Sequence, residues 1–271
     1  MPGLLVAMDL GSRIRRMARS LWFQFVVADL MLARAVGDNK AVVDDMLEVG
    51  RLRGENGRLD VAEVYFQGAK HRAKAMGYPY AEAHAGAQVG AVLIAKGSFN
   101  AARLALESAV PVLRQHGDRR VLPDSLLKLG VANYKLGNFE AAMASWNEAL
   151  IRSRANKDRY RESLALMDLG RLAYDERRYV NADSYWHEAL SLFRQARDWE
   201  HVAWVAFFLG LVSRHFGRLD EASELMEESR FLYKRIGDRE HLARAEEYLT
   251  FLQERGPSHE WHGDTDQRNS D

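Results

Sequence analysis

Apolar residues recur every three or four positions along most of the chain, and the recurrence breaks at regular intervals. Leu126, Leu129 and Ala132 mark one apolar stripe, and Phe139, Ala142, Trp146 and Ala149 mark a second. That spacing puts side chains on one face of an α-helix. Gly137 falls between the stripes, where a left-handed residue is wanted to end a helix. The pattern predicts one helix from about Val121 to Leu136 and another from about Phe139 to Ala155. Asn138, and Ser98 or Asp220 in the corresponding places, suit the tight turn or the next N-cap.

The pair of stripes repeats. Gly50, Gly90, Gly130, Gly170 and Gly210 stand forty residues apart without an insertion. Gly57, Gly97, Gly137 and Gly217 follow seven residues later, with Arg177 breaking the series. An alanine lies twelve residues after each first glycine (Ala62, Ala102, Ala142, Ala182, Ala222), and a large apolar residue four further on (Phe66, Leu106, Trp146, Trp186, Met226). The link to the next unit carries Gly77, Gly117-Asp118 or Gly237-Asp238. Each unit therefore reads as a helical hairpin with short connections.

The first glycine sits in mid-helix, where it costs about 1 kcal/mol relative to alanine. Close helix approach is the compensating reason. Each first glycine is expected to face the alanine twelve residues on, with Trp146 or Trp186 of the next hairpin filling the space between units.

Leu129-Gly130, Tyr134, Gly137-Asn138-Phe139, Ala142, Trp146 and Ala149-Leu150 together resemble the tetratricopeptide repeat. The usual unit of that family is 34 residues; here each hairpin has a link six residues longer. The resemblance covers about residues 40–254. It implies an all-α fold, a right-handed superhelical solenoid of antiparallel helical hairpins with about five full repeats and capping helices at both ends. On that register residues 39–238 are five repeats and 239–255 a C-terminal capping helix, with His241-Leu242, Leu249 and Leu252 facing inward. Residues 1–38 read as a degenerate sixth hairpin. Residues 3–17 supply its first helix, with Leu10-Gly11 one residue out of register. Trp22, Phe23, Phe25, Val26 and Leu30 cover the edge of the first full repeat. The polar, aperiodic stretch 256–271 reads as a disordered tail.

Composition narrows the function. The 271 residues hold no cysteine, so thiol nucleophiles and thiolate metal sites are excluded. The formal net charge is zero, which removes an overall field for polyanions. No phosphate-cradling loop or metal-ligand spacing stands out among the nine histidines. His259 and His262 with Asp264 and Asp266 lie in the tail and read as unstructured rather than as ligands. Asp44-Asp45, Glu227-Glu228 and Glu246-Glu247 read as solvated helix faces. The expectation is a non-enzyme with no cofactor, no nucleic-acid partner, no membrane span and a cytoplasmic setting. Residues 21–36, behind Arg13, Arg15, Arg16 and Arg19, look somewhat like a signal peptide, but Gln24 and Asp29 interrupt the apolar run. An amphipathic helix is the better reading, and the forty-residue register supports it.

In the resembled family the first helices line a concave groove, and its inner positions can be counted from each first glycine. Arg51, Val131, Tyr134, Lys135, Met167, Arg171, Tyr174, Trp204, Phe207 and Leu211 occupy such places and form the candidate partner-binding set. The stretch WVAFFLGLV (204–212) is apolar around nearly the whole helix, which demands burial on both sides or a partner. The family's carboxylate clamp is absent, and only Asn133 lies near the place of an Asn ladder. The expected function is a scaffold holding a peptide or helix of a partner protein. The alternatives are a self-assembling structural protein, with homo-oligomers, and a sensor subunit whose effector domain is on another chain.

Overall fold

The structure, a computed structural model, describes residues 21–255. The expected first helix over 3–17, the arginine cluster before residue 20 and the tail after residue 255 lie outside the described residues. Among the described residues the chain is all-α, with twelve helices packed as consecutive hairpins. A helix over residues 21–36 (α1) precedes α2 (Asn39–Glu55), α3 (Leu59–Ala75), α4 (Pro79–Ala95), α5 (Phe99–Gln115) and α6 (Val121–Lys135). These make one compact unit. The second unit holds α7 (Phe139–Asn156), α8 (Arg159–Asp175), α9 (Tyr179–Ala196), α10 (Trp199–His215), α11 (Leu219–Ile236) and α12 (Arg239–Arg255). The periodicity placed α6 and α7 to within one residue at each end.

The turns follow the expected chemistry. Gly57, Gly97, Gly137 and Gly217 all have φ between +73° and +77°. Arg177 takes the same conformation with φ +58°, and Lys157 and Arg197 do so at links where other repeats have glycine. A side chain there costs about 1–2 kcal/mol. Arg177→Gly, Lys157→Gly and Arg197→Gly should therefore each raise stability by about 0.5–1 kcal/mol, read as a higher urea midpoint. An unchanged midpoint in all three would show that the strain is compensated by side-chain contacts.

Aspartates start the first helices. Asp38, Asp158, Asp198 and Asp238 each accept backbone N–H bonds from the residues that follow. Asp118 accepts from Arg120 at 2.8 Å, from Val121 and from Leu122 at 3.2 Å, and from the Tyr80 hydroxyl at 2.6 Å. Asn138 and Ser98 stand at N-cap positions without a side-chain cap bond, and Asp220 lies inside the first turn of α11.

Burial pushes the Asp118 carboxyl up, but Tyr80 and the three backbone N–H groups outweigh it and hold the group below its ordinary 3.8. A depressed carboxylate stabilises the fold above its unfolded value, and that stability is lost as pH falls through the folded value. Asp118→Ala should cost about 1 kcal/mol at neutral pH. The difference from the parent protein should shrink as pH drops below 3.8 and vanish in stronger acid, as followed by urea unfolding at several pH values. The Tyr80 hydroxyl is pushed up to about 12 by burial and by the same carboxylate.

The core of the first unit centres on Val26, Leu30 and Ala33 of α1 with Val42, Val43 and Met46 of α2 and Ala69 and Ala73 of α3. Thus Val26 and Leu30 do cover the edge of the first full repeat. Phe23 is half-buried beneath the Arg53 guanidinium, 4.1 Å from the ring centre, while Trp22 and Phe25 stay exposed.

One expectation about the first glycines is corrected. The alanine twelve residues on is wholly buried in every repeat, but at Gly50, Gly90 and Gly170 it is not the principal neighbour. A Cβ on Gly50 would meet the Phe66 ring at 2.5 Å, and one on Gly90 would meet Leu106 at 2.7 Å. One on Gly170 would overlap the Trp186 indole. The glycine thus makes room for the large residue of its own hairpin, while Trp186 also meets Trp204 and Phe208 of the next hairpin and so fills the space between units. Gly210 is the looser case, 3.3 Å from both the Ala222 carbonyl oxygen and the end of Met226. Ser229, which replaces the second alanine in the fifth repeat, donates its hydroxyl to the Ala203 carbonyl of α10 at 2.9 Å.

Candidate functional site

In the first unit, Arg51 lies exposed on α2. Its guanidinium bonds Glu48, with Nε 2.8 Å from Oε2, and also pairs with Glu55. That hydrogen bond from Arg51 holds the Glu48 carboxyl low, and the indole of Trp22 adds to it at 2.9 Å. Surface pairs of this kind contribute about 0–1 kcal/mol. On α6, Val131 and Tyr134 are half-buried and Lys135 is exposed. Four of the ten candidate residues thus lie in this unit. His84 of α4 is half-buried and 3.3 Å from Gln88; burial lowers its imidazole below the ordinary 6.5, outweighing the opposite pull of Asp118, Asp44 and Asp124.

The second unit concentrates aromatic rings on its first helices. Trp186 of α9 is wholly buried and donates its indole N–H to the Met167 carbonyl of α8 at 3.0 Å. Tyr174 and Phe208 pack on it with ring centres at 5.6 Å each, and Trp204 stands edge-on at 5.9 Å. Trp204 and Phe208 are 4.3 Å apart, and Tyr174 and Phe208 6.0 Å. Tyr179 extends the row toward His215, 4.2 Å from its ring. Tyr174, Trp204 and Phe208 are half-buried: the layer rests on Trp186, Tyr174 and Phe208 also pack against the cluster of Phe207, Leu211 and Tyr248, and part of each ring stays accessible.

Met167 and Arg171 border the layer on α8, both half-buried. The Arg171 guanidinium bonds Asp168 at 2.9 Å. Asp168 is buried, and that desolvation raises its carboxyl against the pull of Arg171 and His201. A buried acid beside a partly accessible guanidinium gives the edge of an apolar surface a polar feature.

Phe207 and Leu211 are placed differently from the expectation of a groove. They are 3% and 9% exposed, buried with Met226 beneath Ala245, Tyr248 and Leu249 of α12. Arg244 covers Phe207 from above, and Arg214 lies over Phe251. The helix-wide apolar character of 204–212 is thus accounted for on this side by the chain's own last helix. Tyr248, which that helix buries completely, was not among the residues expected to face inward.

Phe208 is the residue that sequence reasoning undervalued. It touches Tyr174, Trp186, Trp204 and Phe207. A signal existed. The same place in the earlier repeats holds Glu48, Gln88, Lys128 and Asp168, so a phenylalanine there is not required by the repeat.

Among the described residues no cluster of three metal-ligating side chains occurs, and no helix is long and apolar enough to cross a membrane. Glu227 and Glu228 are engaged by Arg230 and Arg194, so they are paired as well as solvated.

Residues 161–235 match the family described as Tetratricopeptide repeat. No curated protein sequence matches the chain. Among solved structures, BtubC (BKLC) from P. vanneervenii is similar with a TM-score of 0.68 and 17% identity, covering 81% of this chain and 92% of that one. The apo form of the quorum sensor NprR from B. thuringiensis has a TM-score of 0.67 and 19% identity, covering 91% and 73%. A Rap protein complexed with competence and sporulation factor has a TM-score of 0.60 and 14% identity, covering 82% and 69%. At these identities the likeness is one of fold.

Proposed function

This chain is a tetratricopeptide repeat protein, and from that premise we propose that it is a non-catalytic interaction module holding a peptide or helix of a partner protein. The occupant lies against Tyr174, Trp204 and Phe208, with Met167 and Arg171 at its border. The observation that carries the reading is the partly exposed aromatic layer over Trp186, in which Phe208 stands where the earlier repeats are polar. Rigid aromatic rings with an arginine at the edge are what binding hot spots favour. The Rap neighbour, similar in fold, was solved in complex with competence and sporulation factor, which supports a binding role for this fold. Val131, Tyr134, Lys135 and Arg51 belong to the first unit and are proposed only as secondary contacts.

The test is recovery of partners from cells by cross-linking, followed by affinity measurement. Trp204→Ala and Tyr174→Ala should each weaken binding by about tenfold or more, the loss expected for a hot-spot ring. Correctly folded variants that retain full affinity for the recovered partner would remove this face from consideration.

A further inference from the structure

Ion pairs tie neighbouring second helices together, and the tie is missing at one seam. In the second unit Arg154 of α7 bonds Glu188 of α9 at 2.5 Å. Forty residues on, Arg194 of α9 bonds Glu228 of α11 at 3.2 Å. The basic member recurs along the register as Arg34, Lys74, Arg114, Arg154, Arg194 and Lys234. The acid recurs as Glu148, Glu188 and Glu228, but its place on α5 is taken by Ser108. At the seam of α3 and α5, Lys74 therefore meets a hydroxyl where its later counterparts meet a carboxylate.

A second departure from the repeat lies beside it. Val110, Leu150 and Leu190 are buried where α3 has Lys70. The lysine stem keeps to the apolar slot: a Cβ on Gly86 of α4 would meet its Cε at 3.9 Å and its Cδ at 4.0 Å, and the Ala109 Cβ at 4.0 Å. A stem packed in this way carries its charge out to the surface. Lys70 and Lys74 line one open pocket of about 340 Å³ with Gln67, His71, Ser108 and Glu82 of α4. None of these side chains makes a hydrogen bond or ion pair with a described residue. Glu82 stands at the place where Glu162 accepts from Arg154 at 2.8 Å, yet it pairs with neither lysine.

We propose that this pocket binds a phosphate group. Two lysines against one glutamate leave it positive, and its unpaired groups are mostly donors: two ammonium groups, the Ser108 hydroxyl, the Gln67 amide and the His71 ring. A phosphate brings the negative charge and the several acceptor oxygens that such a set requires. It supplies from outside the anion that Glu188 and Glu228 supply from within the chain. The pocket is built by the first unit, so its test is independent of binding at the aromatic layer of the second.

Amide chemical shifts of the isotope-labelled full chain, followed by titration at constant ionic strength, test this. Inorganic phosphate should produce saturable shifts at Lys70, Lys74 and Ser108, with a Kd of about 1 mM or tighter. Ser108→Glu should weaken that binding by about tenfold or more, since the new carboxylate takes the anion's place beside Lys74. The fold should be unaffected, because three later repeats hold glutamate there. Lys70→Met, which keeps an apolar stem and removes the charge, should weaken binding to a similar degree. Arg194→Gln, at a seam already closed by Glu228, should leave it unaltered. A short peptide carrying one phosphoserine separates the sources of the group. Tighter binding than inorganic phosphate, lost without the phosphate, assigns the site to a phosphorylated chain; equal or weaker binding assigns it to the free anion. Acetate binding as tightly as phosphate, absence of saturable shifts, or full phosphate affinity in Ser108→Glu or in Lys70→Met would overturn the proposal.

Discussion

Trp186→Ala will destabilise the second unit by about 3–5 kcal/mol, the range for removing a large buried aromatic side chain. The indole is wholly buried, and four neighbours lose their contact at once: Tyr174, Phe208, Trp204 and the backbone at Gly170. The Met167 carbonyl also loses a donor at 3.0 Å. Three of the four neighbours are rings held from several sides, so the site cannot collapse to refill the space. Urea unfolding followed by circular dichroism reads the loss. Trp186→Phe should cost less, since it keeps much of the ring volume and removes only the N–H bond and part of the contact. A loss below about 1 kcal/mol for the alanine variant would mean that the cavity closes by helix movement. The aromatic layer would then be softer than its packing indicates.

Gly170→Leu should cost about 3 kcal/mol, at the upper end for overpacking. Even Gly170→Ala is expected to destabilise. On helix propensity alone that change would gain about 1 kcal/mol. The new Cβ overlaps the indole of Trp186, however, and pushing the ring away breaks its bond to Met167. Gly210→Ala supplies the contrast. Its Cβ would stand 3.3 Å from the flexible end of Met226 and from the Ala222 carbonyl, so its cost is much smaller. In a Trp186→Leu background the penalty at Gly170 should fall, because the smaller side chain frees the indole's place, but not to zero, since a Cβ on Gly90 would still meet Leu106 at 2.7 Å. A double-mutant cycle measures this coupling. Strict additivity would disprove the account of why the repeat keeps a mid-helix glycine.

These two changes meet at the candidate face. Trp186 is the support on which Tyr174, Phe208 and Trp204 rest, so its removal should also weaken the binding assigned to them. The distinction lies in stability: Trp204→Ala acts on a half-exposed ring and should affect affinity more than unfolding.

Much of the architecture was legible before any coordinates. The glycine series at forty-residue spacing and the three-and-four apolar rhythm placed α6 and α7 nearly to the residue, and the positive-φ turns fell on Gly57, Gly97, Gly137 and Gly217. These features are local: a helix stripe, a left-handed turn and an N-cap each depend on a few consecutive residues. Arg177 shows that even an exception to the glycine series keeps the turn conformation, because the surrounding hairpin imposes it.

Tertiary structure alone decided what covers each apolar side. Periodicity tells which face of a helix avoids water, but it does not tell whether a neighbour in the chain or a partner supplies the cover. Phe207 and Leu211 read as groove residues until α12 was seen to bury them with Tyr248. Trp186 does fill the space between hairpins, but only the structure showed that it also lies against Gly170 of its own. Phe208 became central only when its rings of contact were known. The sequence by itself determined the elements, their turns and their repeat; the packing of side chains between helices determined which residues are core and which remain available to bind.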